Sequence, residues 1–337
     1  MIPSHCRQVI LAARPVGIPL ADHFRVVEAP VVMPNPGEIL VRNEFLSVEP
    51  AMRGWVNAAA NYADPVAVGS VMRAFAAGTV VASKHRGFAE GDRVMGLLGW
   101  QEYAISDGQN IRRKVTETDL PLSLSLGVLG LNGITAYFSL REIARPNPGD
   151  TLVVSTAAGA VGSAVGQLAR LSGCRTVGIA GGDSKVKECR ELYGFDAAID
   201  YKSPAFIESL ANATPSGVDI YHDNTAGPIS DAVVRCLNRK ARVVICGTAS
   251  VANWDDWPVG PRVERHILNK AARMEGFLVW DFEHRYEEAV AQLASWVRGG
   301  QLRFREHILG GIESAPGSIA MLYSGLNNGK LLIQLRP

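Results

Sequence analysis

The sequence predicts an α/β fold, a doubly wound parallel sheet joined to a β-rich domain. From about Gly127 onward, β-type runs alternate with segments of helical period, the pattern of a parallel sheet with crossover helices. Before that point the chain reads as short β runs broken by Gly and Pro. Between Thr151 and Lys185 lies a strand–turn–helix–strand unit, TLVVSTAAGAVGSAVGQLARLSGCRTVGIAGGDSK, whose turn is built of small residues. With 337 residues and 47% hydrophobic content the chain can bury two cores. The expected domains are residues 1–126 with 301–337 (β-rich) and residues 127–300 (doubly wound).

In chain order, the front domain contains β runs at Glu38–Phe45, Gly78–Ala82, Arg93–Leu98 and Glu102–Ile105. Turns separate them at Pro34-Asn35-Pro36-Gly37 and Glu90-Gly91-Asp92. Six further β-type runs follow: Leu152–Ser155, Thr176–Ala180, Ala198–Tyr201, Asp219–His222, Arg242–Cys246 and Glu275–Val279. The tail ends in a β run, Lys330–Leu335, expected to return to the first domain.

Ala157, Gly159 and Gly162 fill the three positions of the G-x-G-x-x-G spacing, directly after a strand and before a helix. Gly159 lets the backbone approach a pyrophosphate, and Gly162 lets the helix pack close to the strand. Ala160 and Val161 open that helix, where free N–H groups face an anion. A Rossmann-type sheet holding a dinucleotide is the expectation. NAD sites carry a carboxylate about 20 residues on, whereas NADP sites replace it with a cation. Here the second strand runs into Ala180-Gly181-Gly182, then Asp183 and Lys185. The glycines leave room for a 2′-phosphate, Lys185 supplies the charge, and Asp183 is expected to cap the next helix. NADP(H) is therefore expected over NAD(H), although Lys185 read alone also fits a solvated surface lysine.

Bulk properties exclude several classes. A net charge of +1 argues against nucleic acid or an anionic membrane as the main partner. The five cysteines are scattered, with no C-x-x-C, and the seven histidines form no cluster, so no metal site is expected. Reduced thiols, no apolar run of about 18 residues and no export pattern at the start suit a cytoplasmic protein.

Several segments carry a closer resemblance. Glu49-Pro50-Ala51-Met52-Arg53-Gly54-Trp55, Gly130-Leu131-Asn132-Gly133-Ile134-Thr135-Ala136-Tyr137-Phe138 and Gly194-Phe195-Asp196-Ala197-Ala198-Ile199-Asp200-Tyr201-Lys202 are three of them. Tyr221-His222-Asp223-Asn224, Arg273-Met274-Glu275-Gly276-Phe277 and Asn327-Asn328-Gly329-Lys330 follow in order. Together they resemble the zinc-independent medium-chain dehydrogenases/reductases, in the prostaglandin reductase / 2-alkenal reductase branch. The Gly-His-Glu segment and four-cysteine lobe of the zinc-dependent members are absent from the sequence.

The resemblance implies a GroES-like front domain, a homodimer paired through the strand near Arg273–Val279, and NADPH-dependent reduction of the C=C bond of enones and enals. It implies that Lys185 and Tyr201 hold the 2′-phosphate, with Asn224 at the cofactor and Thr135 and Asn327 at its nicotinamide half. Read alone, Tyr201 is also a packing aromatic, Asn224 an Asx turn, Thr135 a helix cap and Asn327 a turn residue. Met52, Arg53 and Tyr62 are substrate-side candidates. Tyr62 is the expected donor to the carbonyl oxygen, and Arg53 is either catalytic or one half of a structural ion pair. Ala51 and Ala252 stand where many relatives carry tyrosine, and Trp254 and Trp257 follow as possible replacement bulk or simple packing. A quinone or carbonyl reductase, an alcohol dehydrogenase of the same fold, and a non-catalytic NADPH-binding protein are the alternatives.

Overall fold

A computed structural model describes residues 1–58, 63–250 and 259–335. The chain forms two compact units, Met1–Gly127 with Glu306–Pro337, and Val128–Arg305. Among the described residues no helix is long and apolar enough to cross a membrane.

The first unit opens with β1 (His5–Leu11) and β2 (Phe24–Pro30), an antiparallel pair. Then come β3 (Ile39–Ser47), a one-turn helix α1 (Met52–Trp55), β4 (Phe75–Ser83), β5 (Arg93–Leu97), β6 (Tyr103–Ser106) and β7 (Ile111–Lys114). Several strands are longer than their apolar runs because cross-strand bonding continues past them. Phe75, for example, pairs with Leu97 at the start of β4.

The second unit begins with α2 (Leu131–Phe138) and a π-helical turn, Ser139–Ala144. Strands and helices then alternate: β8 (Thr151–Ser155), α3 (Ala160–Leu171), β9 (Arg175–Ala180), α4 (Asp183–Glu191), β10 (Ala197–Asp200), α5 (Phe206–Ala213), β11 (Val218–Asp223), α6 (Gly227–Arg235) and β12 (Leu237–Ile245). The last members are α7 (Glu264–Lys270), β13 (Arg273–Gly276) and α8 (Tyr286–Arg298). The six strands are parallel in the order β10-β9-β8-β11-β12-β13, a doubly wound sheet whose direction of winding reverses between β8 and β11. β8 is buried along its whole length, as a central parallel strand covered on both faces must be.

β13 ends earlier than its apolar run predicts. Its ladder partner β12 stops at Ile245, opposite Gly276, so Phe277 to Val279 have no strand to bond, and a 3₁₀ turn begins at Val279. The chain then returns to the first unit as β14 (Glu306–Gly310), α9 (Ser318–Ser324) and β15 (Lys330–Gln334). β15 lies between β14 and β3, which puts the last strand beside one of the first.

Candidate functional site

The loops after β8, β9, β10 and β11 all leave the carboxyl edge of one parallel sheet, where such folds bind ligands. After β8 the chain turns at Thr156, a non-glycine residue held at φ 55°. The Thr156 carbonyl accepts the Gly159 amide at 2.8 Å, and Gly159 becomes the N-cap of α3. Ser163 is the first amide bonded into the helix, to Gly159 at 2.9 Å, so the amides of Ala160, Val161 and Gly162 precede the ladder. A side chain at Gly162 is excluded, because its Cβ would lie 2.3 Å from the Thr156 carbonyl oxygen. Ala157 occupies the first fingerprint position with its methyl against β9, 2.8 Å from where Gly178 would carry a Cβ. The extra methyl is thus accommodated by a glycine on the neighbouring strand.

After β9, Gly182 at φ 88° is the N-cap of α4, a conformation that favours glycine. Asp183 was the expected cap. It is instead the first helical residue, and no side chain caps this helix. The restraint comes from the next strand: Asp200 Oδ1 accepts the Gly182 amide and the Lys202 amide, each at 2.9 Å. Tyr201, the residue just past β10, donates its amide to Ala180 at 3.1 Å. Its ring lies over Gly181, where an added Cβ would come within 2.8 Å of Tyr201 Cε1 and 3.2 Å of Lys202 Cε. Lys185 stands in the first turn of α4. Burial, and then the nearby Lys202 ammonium, hold its pKa below the usual lysine value.

After β11, Asn224 is bound in place from three sides. Its amide donates to Ser155 Oγ at 2.8 Å, and Nδ2 donates to the Ser155 carbonyl at 2.7 Å while facing His222 Nδ1 at 3.3 Å. The buried Asp223 carboxylate accepts the Thr225 and Ala226 amides at 2.9 Å, the Tyr221 hydroxyl at 3.0 Å, and the Ser230 hydroxyl. Thr135 lies inside α2 and is not a helix cap.

The remaining candidates belong to the first unit. Asn327 donates from Nδ2 to the Gly329 carbonyl at 2.9 Å, within the turn that leads into β15. The expected loop after β3 contains α1, with Ala51 as its N-cap and Met52 fully buried against Glu49, whose amide is 3.3 Å from the Met52 sulfur. Arg53 is only 4% exposed, yet no carboxylate among the described residues pairs with it. It donates from Nε to the Gly17 carbonyl at 3.3 Å and lies 5.4 Å above the Tyr323 ring. Its partners among the described residues are thus a carbonyl and an aromatic face. Tyr323 in turn donates to the Pro50 carbonyl at 3.0 Å. Below this segment Lys330, 4% exposed, donates to Ser47 Oγ at 2.6 Å, Glu49 Oε1 at 2.7 Å and the Val48 carbonyl at 3.2 Å. Tyr62, Ala252, Trp254 and Trp257 lie outside the described residues.

Among the described residues no group of His, Cys, Asp and Glu is arranged to hold a metal ion. The cysteines are free thiols. Burial pushes Cys174 up to about 11 and Cys189 and Cys246 up to about 12, which keeps them protonated and poor nucleophiles. Sequence reasoning missed Asp200 and Lys202 as parts of the β9–β10 edge. The Asp200-Tyr201-Lys202 order was visible, but the backbone bonds that give Asp200 its place are not encoded in any spacing.

A parallel sheet in this order, with this turn after its first strand, defines a dinucleotide-binding domain. The chain matches two family profiles, one described as the N-terminal domain of oxidoreductase over residues 7–113 and one as zinc-binding dehydrogenase over residues 160–295. It is 40% identical to the NADPH-dependent curcumin reductase of Escherichia coli (strain K12), over 98% of this chain and 96% of that one. It is 34% identical to a 2-alkenal reductase (NADP(+)-dependent) of Nicotiana tabacum, over 98% and 97% of the two chains. The crystal structure of CurA from Vibrio vulnificus in complex with NADPH superposes with a TM-score of 0.92 at 41% identity, covering 98% of this chain and 99% of that one. The chain belongs to the zinc-independent medium-chain dehydrogenases/reductases, in the branch of the prostaglandin and 2-alkenal reductases.

Proposed function

We propose that this chain reduces the C=C bond of α,β-unsaturated ketones and aldehydes with NADPH. The reading rests above all on 34% identity along almost the whole chain to a reductase whose substrate, a 2-alkenal, is itself an enal. The chain is an NADPH-dependent oxidoreductase of its family, and its own residues suit that cofactor. The helix-opening amides of Ala160, Val161 and Gly162 precede the α3 ladder, at a turn too tight for a Cβ at Gly162. Gly181 presents no carboxylate where an NAD site carries one, and the Tyr201 ring and the Lys202 chain lie against it instead. Asn224, Thr135 and Asn327 complete the cofactor contacts in this proposal. When bound, NADPH supplies the hydride for the β-carbon.

The protein's part is to orient the substrate and to stabilise charge growing on its carbonyl oxygen. A single donor placed there is worth roughly 10²–10³ in rate. Tyr62 is the proposed donor and Ala51, Ala252 and Trp254 the proposed pocket residues, while Met52, fully buried, supports the Ala51 segment from within. Arg53, buried against Tyr323, fixes the Ala51–Trp55 segment. With alanine at positions 51 and 252, the pocket lacks two phenols that many relatives carry, so the preferred substrate is expected to be bulkier or less polar. The protein is proposed to be a cytoplasmic homodimer, in keeping with its unpaired thiols and the exposed edge of β13.

The test is NADPH oxidation over a panel of enones, enals and quinones, with products identified. Saturated ketones and aldehydes are expected, and Tyr62→Phe should lower their rate of formation. Allylic alcohols or quinols as the sole products would overturn the double-bond reading, and cofactor binding without oxidation would favour a sensor.

A further inference from the structure

Resting on the NADP(H) reading above, we infer that Asp200 and Lys202 are specificity-determining residues for the ribose 2′-phosphate. Asp200 locks two turns into one cradle, and Lys202 supplies that cradle's second cation.

The charge balance calls for two cations. A phosphate monoester carries about −1.5 to −2 at neutral pH, which one lysine does not match. Lys185 comes from α4 and Lys202 from the turn after β10, so two different segments bring cations close enough to interact at the carboxyl edge of β9. Lys202 Cε lies 3.2 Å from the Cβ position of Gly181, and its ammonium is 5.9 Å from the Tyr201 ring centroid. The two ammonium groups are near enough for Lys202 to depress Lys185, and an anion between them would relieve that repulsion.

Asp200 looks misplaced beside such an anion until its bonds are followed. Its Oδ1 accepts backbone amides from both turns, Gly182 and Lys202, each at 2.9 Å. The carboxylate therefore acts as a staple. It holds Gly182, the N-cap of α4, against the residue after β10 that carries the second cation. An NAD-type carboxylate would instead present its oxygens to a ribose hydroxyl. Here the acidic residue sits one strand over, with an oxygen already committed to the backbone. Asp200 is thus a positioning residue, acting through Gly182 and Lys202, whereas Lys202 acts on the phosphate directly.

Calorimetric binding of adenosine 2′,5′-bisphosphate and of 5′-AMP separates the two roles from the rest of the site, without turnover. The wild type is expected to prefer the bisphosphate. Lys202→Met should weaken it roughly tenfold, the loss of one charge-assisted contact, while leaving 5′-AMP within about twofold. It should also flatten the salt dependence of bisphosphate binding. Asp200→Ala should weaken the bisphosphate by a similar factor. Asp200→Asn keeps an oxygen acceptor for both amides and is expected to bind within about threefold of wild type. Wild-type affinity in both Lys202→Met and Asp200→Ala would overturn the inference. A wild-type protein with no preference for the bisphosphate would overturn the NADP(H) reading itself, and this inference with it.

Discussion

Burial decides what His222 can do. The ring is fully enclosed, and its pKa is pushed down to about 3, so it stays neutral at any physiological pH. Its Nδ1 accepts from Asn224 at 3.3 Å, which leaves the proton on Nε2, donated to Ser139 Oγ at 2.9 Å. Ser139 passes its own proton on to the Ala136 carbonyl at 3.1 Å. Asn224 thus has both Nδ2 hydrogens spent, on Ser155 and on His222. A proton on Nδ1 would break this arrangement. The folded ring takes up a proton only near pH 3, whereas the unfolded ring does so near 6.5. The unfolded state therefore binds more protons in that window, and stability falls as the pH drops through it. The full difference is on the order of a few kcal/mol. Denaturant unfolding at stepped pH should show His222→Gln losing less stability than wild type between pH 6.5 and pH 3; parallel curves would refute the assignment.

At the scale of elements, α1 is too short to hold itself and depends on what lies beneath it. Its four residues follow Glu49, and Glu49 is fixed by Lys330, the first residue of β15. Removing the cation from a buried pair typically costs about 3–5 kcal/mol, because a carboxylate remains in a poor solvent for it. Lys330→Met is expected to lower the melting temperature markedly, and adding Glu49→Gln should recover part of the loss, measured by calorimetry. Additive effects of the two changes would mean that the pair does not interact. Nothing in the sequence linked positions 49 and 330, since a contact spanning most of the chain has no local signature. The parallel strands were legible because burial on both faces writes continuous apolar runs, as in Leu152–Val154. Their ends were less so: β13 stops where its partner stops, which is a property of the ladder and not of Phe277 or Leu278. The fingerprint turn was legible even with Ala157 in the first position. The compensating Gly178 is 21 residues after Ala157 in sequence and meets it only through the β8–β9 pairing.

At the scale of the whole molecule, β13 leaves an edge. It pairs with β12 on one side, and no strand among the described residues pairs with the other. Met274 is exposed on it, Leu278 is exposed just past its end, and Leu268 stands exposed on α7 just before it. Such an edge is a template for another chain, and a second copy satisfies it symmetrically. Sedimentation is expected to give a dimer, with Met274→Lys shifting it toward the single chain by placing a charge on the exposed edge. A wild-type monomer at all concentrations would contradict the pairing. The order in which the chain leaves the ribosome bears on the other unit. The second unit is complete once Arg305 has been made, but the first still lacks β14 and β15. Until then β3 keeps Phe45–Ser47 without their later partners, and Glu49 waits for a lysine not yet translated. The half of the protein that is synthesised first is therefore finished last. Until β15 is made, this stretch of β3 is an unpaired edge of the kind that makes partly folded chains prone to aggregate.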